Sequence, residues 1–172
     1  SLPPFSRIPI FAPMKILMVC LGNICRSPLA EGILKQKARE AGLNWIIDSA
    51  GTNGYHNGEP PHRLSQKVAL QNSINISGQR SRKITGHDFY QFDIIYAMAP
   101  DVMEDMKRIA GKDYDDKKVK LLMNEIVPGK NAAIPDPWYG PEPGYREVFK
   151  LIEEACEAII QKIKNEELQI KN

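Results

Sequence analysis

Cysteine, histidine and tryptophan are scarce in this chain, at three, three and two among 172 residues. Three cysteines, with Cys20 and Cys25 inside one short stretch, do not make the disulfide framework of a small secreted fold. A reducing, cytoplasmic setting is therefore expected. The histidines, His56, His62 and His87, are scattered without metal-ligand spacing, so no metal or other cofactor is expected and each reads as a solvated side chain. No apolar run approaches the roughly 20 residues of a membrane span, and no membrane role is expected. A strong charge of one sign is also missing. Twenty-three Lys and Arg against 21 Asp and Glu leave +2, too little to argue for nucleic acid. No internal repeat or compositional break is visible, which at this length predicts one domain.

What is present reads as alternating strands and helices. Residues 1–13 hold four prolines without any period. They read as an N-terminal extension or a cloning remnant, with Met14 the natural start, and the apolar run broken at Pro9 and Pro13 argues against a signal peptide. Ile16 to Val19 is a compact apolar run, and Met14 to Val19 reads as the first strand. A helix follows from Ser27 as N-cap and Pro28, with Leu29, Ile33, Leu34 and Ala38 on its apolar face and Gly42 as its stop. Trp45 to Ile47 predicts the second strand, which Asp48 to Thr52 leaves. A helix is predicted from about His62 to Asn72, a polar connection over 75–83, and one helical turn capped by Thr85. Phe92 to Met98 predicts the third strand. Pro100 opens a helix ending at Gly111, and Val119 to Met123 predicts the fourth strand. A proline-rich loop over 134–144 precedes a long helix from about Tyr145. One domain over 14–164 is expected, with 165–172 a frayed tail. This alternation predicts a flavodoxin-like α/β sandwich: a four-stranded parallel sheet, order 2-1-3-4, with helices on both faces and the site at the strands' carboxyl ends.

The stretch Cys20-Leu21-Gly22-Asn23-Ile24-Cys25-Arg26-Ser27-Pro28 sits between the first strand and the first helix. Strand, tight loop and helix N-terminus aim successive backbone N–H groups, from Leu21 to Ser27, into one concavity that wants an anion. Arg26 adds a planar fork matched to two phosphate oxygens. Cysteines beside a helix N-terminus and an arginine ionise in the range of about 3.5–7.5. Cys20 is therefore the expected nucleophile, attacking a bound phosphorus. Cys25, five positions on in a tightly curled loop, is the candidate redox partner of Cys20.

The full string resembles the signature of the low-molecular-weight protein tyrosine phosphatases. Two further stretches add to the resemblance, Asp48-Ser49-Ala50-Gly51-Thr52 and Asp136-Pro137-Trp138-Tyr139-Gly140, and together they cover roughly Met14 to Lys164. The resemblance implies hydrolysis of phosphotyrosine in protein substrates, a tyrosine kinase among the candidates, through a phosphocysteine intermediate. It implies that Asp136 is the general acid, because a tyrosine leaving group, with a pKa of about 10, needs a proton. Asn23, Ser27 and Ser49 would form a support shell that holds the loop, with the Ser27 hydroxyl donating to Cys20. Ile24, Tyr55, Trp138 and Tyr139 would wall a slot deep enough for a phenyl ring. The chain departs from the pattern at Gln79, where the family often has a histidine in the support network, and at Trp138, where tyrosine is commoner.

Two relatives of the same fold compete. An arsenate reductase shares the thiolate loop but needs further cysteines on a later mobile segment. Between Cys25 and Cys156 this chain has none, and Cys156 falls on the apolar stripe of the last helix. Phosphoarginine phosphatases resemble the loop but carry threonine where Ile24 stands, and Ile24 favours an apolar ring. A non-catalytic phosphate-binding module would need neither Cys20 nor Asp136. Oligomeric state is not legible.

Overall fold

The computed structural model describes residues 12–171, with side chains through Glu166. Residues 1–11, which carry most of the N-terminal expectation, lie outside the described residues. Four parallel strands, β1 (Lys15–Cys20), β2 (Ile46–Gly51), β3 (Ile94–Ala97) and β4 (Val119–Leu121), form one sheet in the order β2-β1-β3-β4. This is the expected winding, with β1 central and the strand order reversing beside it.

Both faces of β1 are covered, so its residues alternate between two cores rather than between core and water. Ile16, Met18 and Cys20 face helices α1 (Arg26–Glu40), α2 (Arg63–Gln71) and α5 (Glu142–Lys171), in a cluster with Leu29, Ile33, Val68, Ile152 and Ile159. Leu17 and Val19 face the short α3 (Asp88–Gln91) and α4 (Pro100–Ala110), packing with Phe89, Val102 and Met106. The even-numbered register of β1 thus delivers Cys20 to the α1 side, where that helix begins.

Several boundaries differ from the sequence reading. Helix α1 starts at Arg26, with Cys25 at the cap position and no side-chain cap. Ser27 is not the N-cap because its hydroxyl is engaged elsewhere, and Pro28 is tolerated because a first-turn N–H has no intrahelical acceptor. Strand β2 runs on through Asp48–Gly51 instead of being left there. Segment 75–83 is not a plain polar connection. It buries Ile76 and Ser81 and adds a parallel bridge at Lys83 to Gly51. β4 gives way to a 3₁₀ turn at Leu122–Glu125. The cap position of α3 is held by His87 rather than Thr85, and the Asp88 carboxylate accepts the Thr85 amide at 2.8 Å.

Helix α5 opens three residues before Tyr145, at Glu142, whose carboxylate meets Lys67 and favours the positive end of the helix. Its backbone is helical to Lys171, so the helix extends past Lys164. Gly42 (φ 71°) and Gly111 (φ 53°) end α1 and α4 in left-handed conformations, as their sequence positions require. Among the described residues no helix is long and apolar enough to cross a membrane.

Candidate active site

The loop between β1 and α1 is held by its carbonyls. The Thr52 amide donates to Cys20 O at 3.0 Å, Asn53 to Leu21 O at 2.9 Å and His62 to Ile24 O at 2.8 Å. The Ser81 and Ser65 hydroxyls donate to Gly22 O at 2.9 Å and Cys25 O at 3.0 Å. With carbonyls anchored outward, the amides turn inward, and among the described residues no protein acceptor takes a hydrogen bond from the amides of residues 21–25. The first turn of α1 contains no acidic side chain, so its dipole is uncompensated where it meets this ring. Such an arrangement is chemically suited to cradle an anion.

Two unusual backbone positions make the curl possible. Asn23 has φ 54°, a left-handed conformation that Asn tolerates better than most residues. Gly51 lies directly beneath the loop. A Cβ there would stand 2.8 Å from Leu21 O and 2.9 Å from Asn23 N, so only glycine lets β2 run this close.

Cys20 is 2% exposed at the floor of the cradle, its Sγ 3.0 Å from Ser27 Oγ. Asn23 Nδ2 donates to Ser27 Oγ (2.8 Å) and Ser49 Oγ (3.0 Å). With that lone pair of Ser27 occupied, its proton can point at sulfur, 3.0 Å away, or at Ala50 O, 3.5 Å away. The expected support shell of Asn23, Ser27 and Ser49 is thus assembled. Its outer partners are ones the sequence reading missed. Ser49 Oγ donates to the buried carboxylate of Glu31 at 2.8 Å. The Arg82 amide donates to Asn23 Oδ1 at 3.0 Å, while the Arg82 guanidinium is clamped by Asp48 and Asp88. Gln79 stands outside this network. Its Nε2 donates to Pro28 O at 3.1 Å, and its buried Oε1 has no partner among the described residues.

Arg26 is buried at the first position of α1, with Nη1 donating to Ile134 O at 3.0 Å and Nη2 3.7 Å from Asp136 Oδ2. The guanidinium, carried at the start of α1, thus makes both contacts to the segment that holds the candidate acid. The Ile134 amide is in turn fixed to Met98 O at 2.7 Å, past the end of β3. Asp136 is 44% exposed at its side chain, and its Oδ1 accepts the Trp138 amide at 3.1 Å, closing a tight turn.

Cys20, Ile24, Arg26, Asp136, Trp138 and Tyr55 line one cavity of about 260 Å³, joined by Tyr139. The expected pocket walls therefore gather, although Tyr55 and Tyr139 stand at the rim, 87% and 98% exposed. Asn53 and His56 line it too. Neither His56 nor His62 is merely solvated: both rings meet Trp138, at centroid separations of 5.1 and 5.5 Å. Cys25 lies beside the loop with Sγ 3.7 Å from the Tyr145 hydroxyl. Burial pushes the Cys25 thiol up to about 12, against the opposing pull of that hydroxyl. Burial raises Tyr145 as well.

A family model described as low molecular weight phosphotyrosine protein phosphatase matches residues 15–169. The chain belongs to that family. Among its fellow phosphatases, YfkJ of Bacillus subtilis is 36% identical over 89% of this chain and 97% of its own length. The human low molecular weight phosphotyrosine protein phosphatase is 34% identical over 88% and 96%. The crystal structure of YfkJ superposes with a TM-score of 0.83 over 92% of this chain and 99% of its own. A Drosophila arginine phosphatase, 32% identical, does so at 0.80 over 88% and 98%. This phosphatase thus shares its flavodoxin-like fold with enzymes named for either phosphoamino acid.

Proposed function

We propose that the chain is a protein-tyrosine-phosphatase, a phosphoric monoester hydrolase acting through a phosphocysteine at Cys20. The observation that carries the reading is the single cavity in which Cys20 Sγ forms the floor, Arg26 one wall and Asp136 the lip. Cradle amides from Leu21 to Ser27 and the Arg26 fork hold the three equatorial phosphate oxygens and balance their charge in the transition state. The Cys20 thiolate attacks phosphorus as the ester oxygen departs opposite it, and Asp136 gives that oxygen its proton. Water then attacks the thiophosphate, passing a proton back to Asp136, and sulfur leaves with the Ser27 hydroxyl stabilising the returning thiolate. No metal is required, because loop amides and Arg26 supply the positive field.

Residues 14–164 form one phosphatase domain in this reading. A phosphoprotein is the partner, a tyrosine kinase among the candidates, and a reducing compartment such as the cytoplasm suits a reactive thiol. Ile24 and Trp138 on the cavity walls favour an aromatic ring over a guanidinium. Assay of phosphotyrosine, phosphoserine, phosphoarginine and arsenate on one preparation tests this. Phosphotyrosine should be hydrolysed fastest. Faster turnover of phosphoarginine would replace the reading with the alternative the fold also supports, and arsenate reduction would overturn it.

Cys25 is the resolving thiol in this reading. Peroxide converts the Cys20 thiolate to a sulfenic acid. Cys25 then displaces its oxygen as water, forming the Cys20–Cys25 disulfide, which a thiol reductant reopens. Activity lost to brief peroxide should return on reduction. In Cys25→Ser recovery should be poorer, with sulfinic or sulfonic acid on Cys20; equal recovery would remove Cys25 from this role.

A further inference from the structure

His62 touches both halves of the catalytic apparatus without lining the cavity that joins them. It is the N-cap of α2, its Nδ1 accepting the Leu64 amide at 3.1 Å. Its own amide donates to Ile24 O in the phosphate loop at 2.8 Å. The imidazole stacks on Tyr145, with centroids 5.1 Å apart and planes 22° from parallel. Tyr145 is fully buried on α5, so this is a rigid platform. The imidazole also meets Trp138, with centroids 5.5 Å apart and planes at 73°. Trp138 in turn donates its amide to Asp136.

Asp136 itself has few anchors. Its carboxylate is part-exposed and its ion pair with Arg26 is 3.7 Å long, a contact that an arriving phosphate competes for. His56 also reaches Trp138, but sits on an exposed loop and pairs with Glu59. The Tyr145–His62–Trp138 stack is the firmer support.

We propose that His62 is a positioning residue for the general acid: its ring holds Trp138, and thereby the Asp136 carboxyl, over the phosphate loop. The inference rests on Asp136 being that acid. The ring works in its neutral form, since Nδ1 must keep its lone pair for Leu64. Burial, aided by Arg63, lowers the pKa of His62 from the ordinary histidine value and favours that form.

Two variants separate the ring from the cap. His62→Asn keeps a side-chain oxygen that can cap α2 and removes the ring. His62→Phe keeps the ring and removes the cap. The measurement is kcat/KM for aryl phosphates of graded phenol acidity, with inhibition by inorganic phosphate as the report on the cradle. His62→Asn should lose about 3–10-fold on the least acidic phenols, the range of one aromatic contact, and almost nothing on the most acidic. Phosphate inhibition should be unchanged, and His62→Phe should recover most of the loss. In a Trp138→Ala background, His62→Asn should cost nothing further. A loss equal across phenols, weaker phosphate inhibition, or a full loss persisting without Trp138 would overturn the proposal. Asp136→Ala, measured alongside, separates the two readings. If its own loss is independent of the phenol, the assignment of the acid fails. If it depends on the phenol while that of His62→Asn does not, only the role of His62 fails.

Discussion

Sulfur in Cys20, oxygen in Ser27 and the amide of Asn23 form a chain of contacts of 3.0 and 2.8 Å whose direction matters. Asn23 can only donate through Nδ2, so Ser27 accepts there, and its proton goes to sulfur at 3.0 Å or to the more distant Ala50 O at 3.5 Å. A donor at that position stabilises the thiolate most when it leaves the phosphoenzyme. Ser27→Ala should therefore lower kcat by about 10–100-fold, the worth of a hydrogen bond to a charged group, with a smaller effect on kcat/KM. Burst kinetics check this: the phosphoenzyme should accumulate further, and an equal fall in both constants would argue against it. In the proposed mechanism Asp136 acts on the other bond. Asp136→Ala should slow hydrolysis by about 10²–10⁴-fold for weakly acidic phenols, and progressively less as the phenol becomes more acidic. At this scale the sequence was informative where the chemistry is local. Cys20, Arg26 and Ser27 are neighbours in one string, and Asn23 announces its own left-handed turn. Glu31 and Arg82 were not legible, because nothing in a glutamate on a helix or an arginine in a loop says that folding will bring it to Ser49 or Asn23.

At the level of elements, the loop after β1 keeps its curl against β2, which passes close beneath it. Asp48-Ser49-Ala50-Gly51 lacks the branched, apolar residues from which strands are read, so the sequence pattern ends the strand at Ile47. Small residues are what that position demands, since the loop occupies the room a side chain would need. Gly51→Ala tests this. The added Cβ would meet backbone atoms at 2.8–2.9 Å, and backbone cannot step aside as a side chain can. Phosphate affinity should fall together with turnover, while far-ultraviolet circular dichroism stays that of the parent. Unchanged phosphate inhibition would mean that the loop has more freedom than its contacts imply. The start of α1 carries the same lesson. Ser-Pro is a common helix opening, but here the serine hydroxyl belongs to the active site and the helix begins before it.

For the whole molecule, the parallel winding does the positioning. β1 ends at Cys20 in the middle of the sheet, and the crossover from β4 to α5 carries Asp136 across that end. Strand order was legible because apolar runs alternate with capped helices. The meeting of segments 20–27, 48–52, 79–84 and 134–138 at the end of β1 was not, apart from the family resemblance, because it depends on long-range contacts. Cys156 reports on this assembly. It is fully buried in the core against α1, and burial pushes its thiol well above the ordinary range. Alkylation in native buffer should label Cys20 and spare Cys156, which should react only at the rate of global unfolding; rapid native labelling would contradict the packing of α5. The cradle belongs to the entire fold, whereas the reaction is assigned to one sulfur, and Cys20→Ser separates the two. Its turnover of phosphotyrosine is the measurement to make, with vanadate binding followed on the same sample. Turnover should vanish while vanadate still binds within a few-fold of the parent, because loop amides and Arg26 remain. Appreciable hydrolysis by the serine variant would contradict the phosphocysteine mechanism.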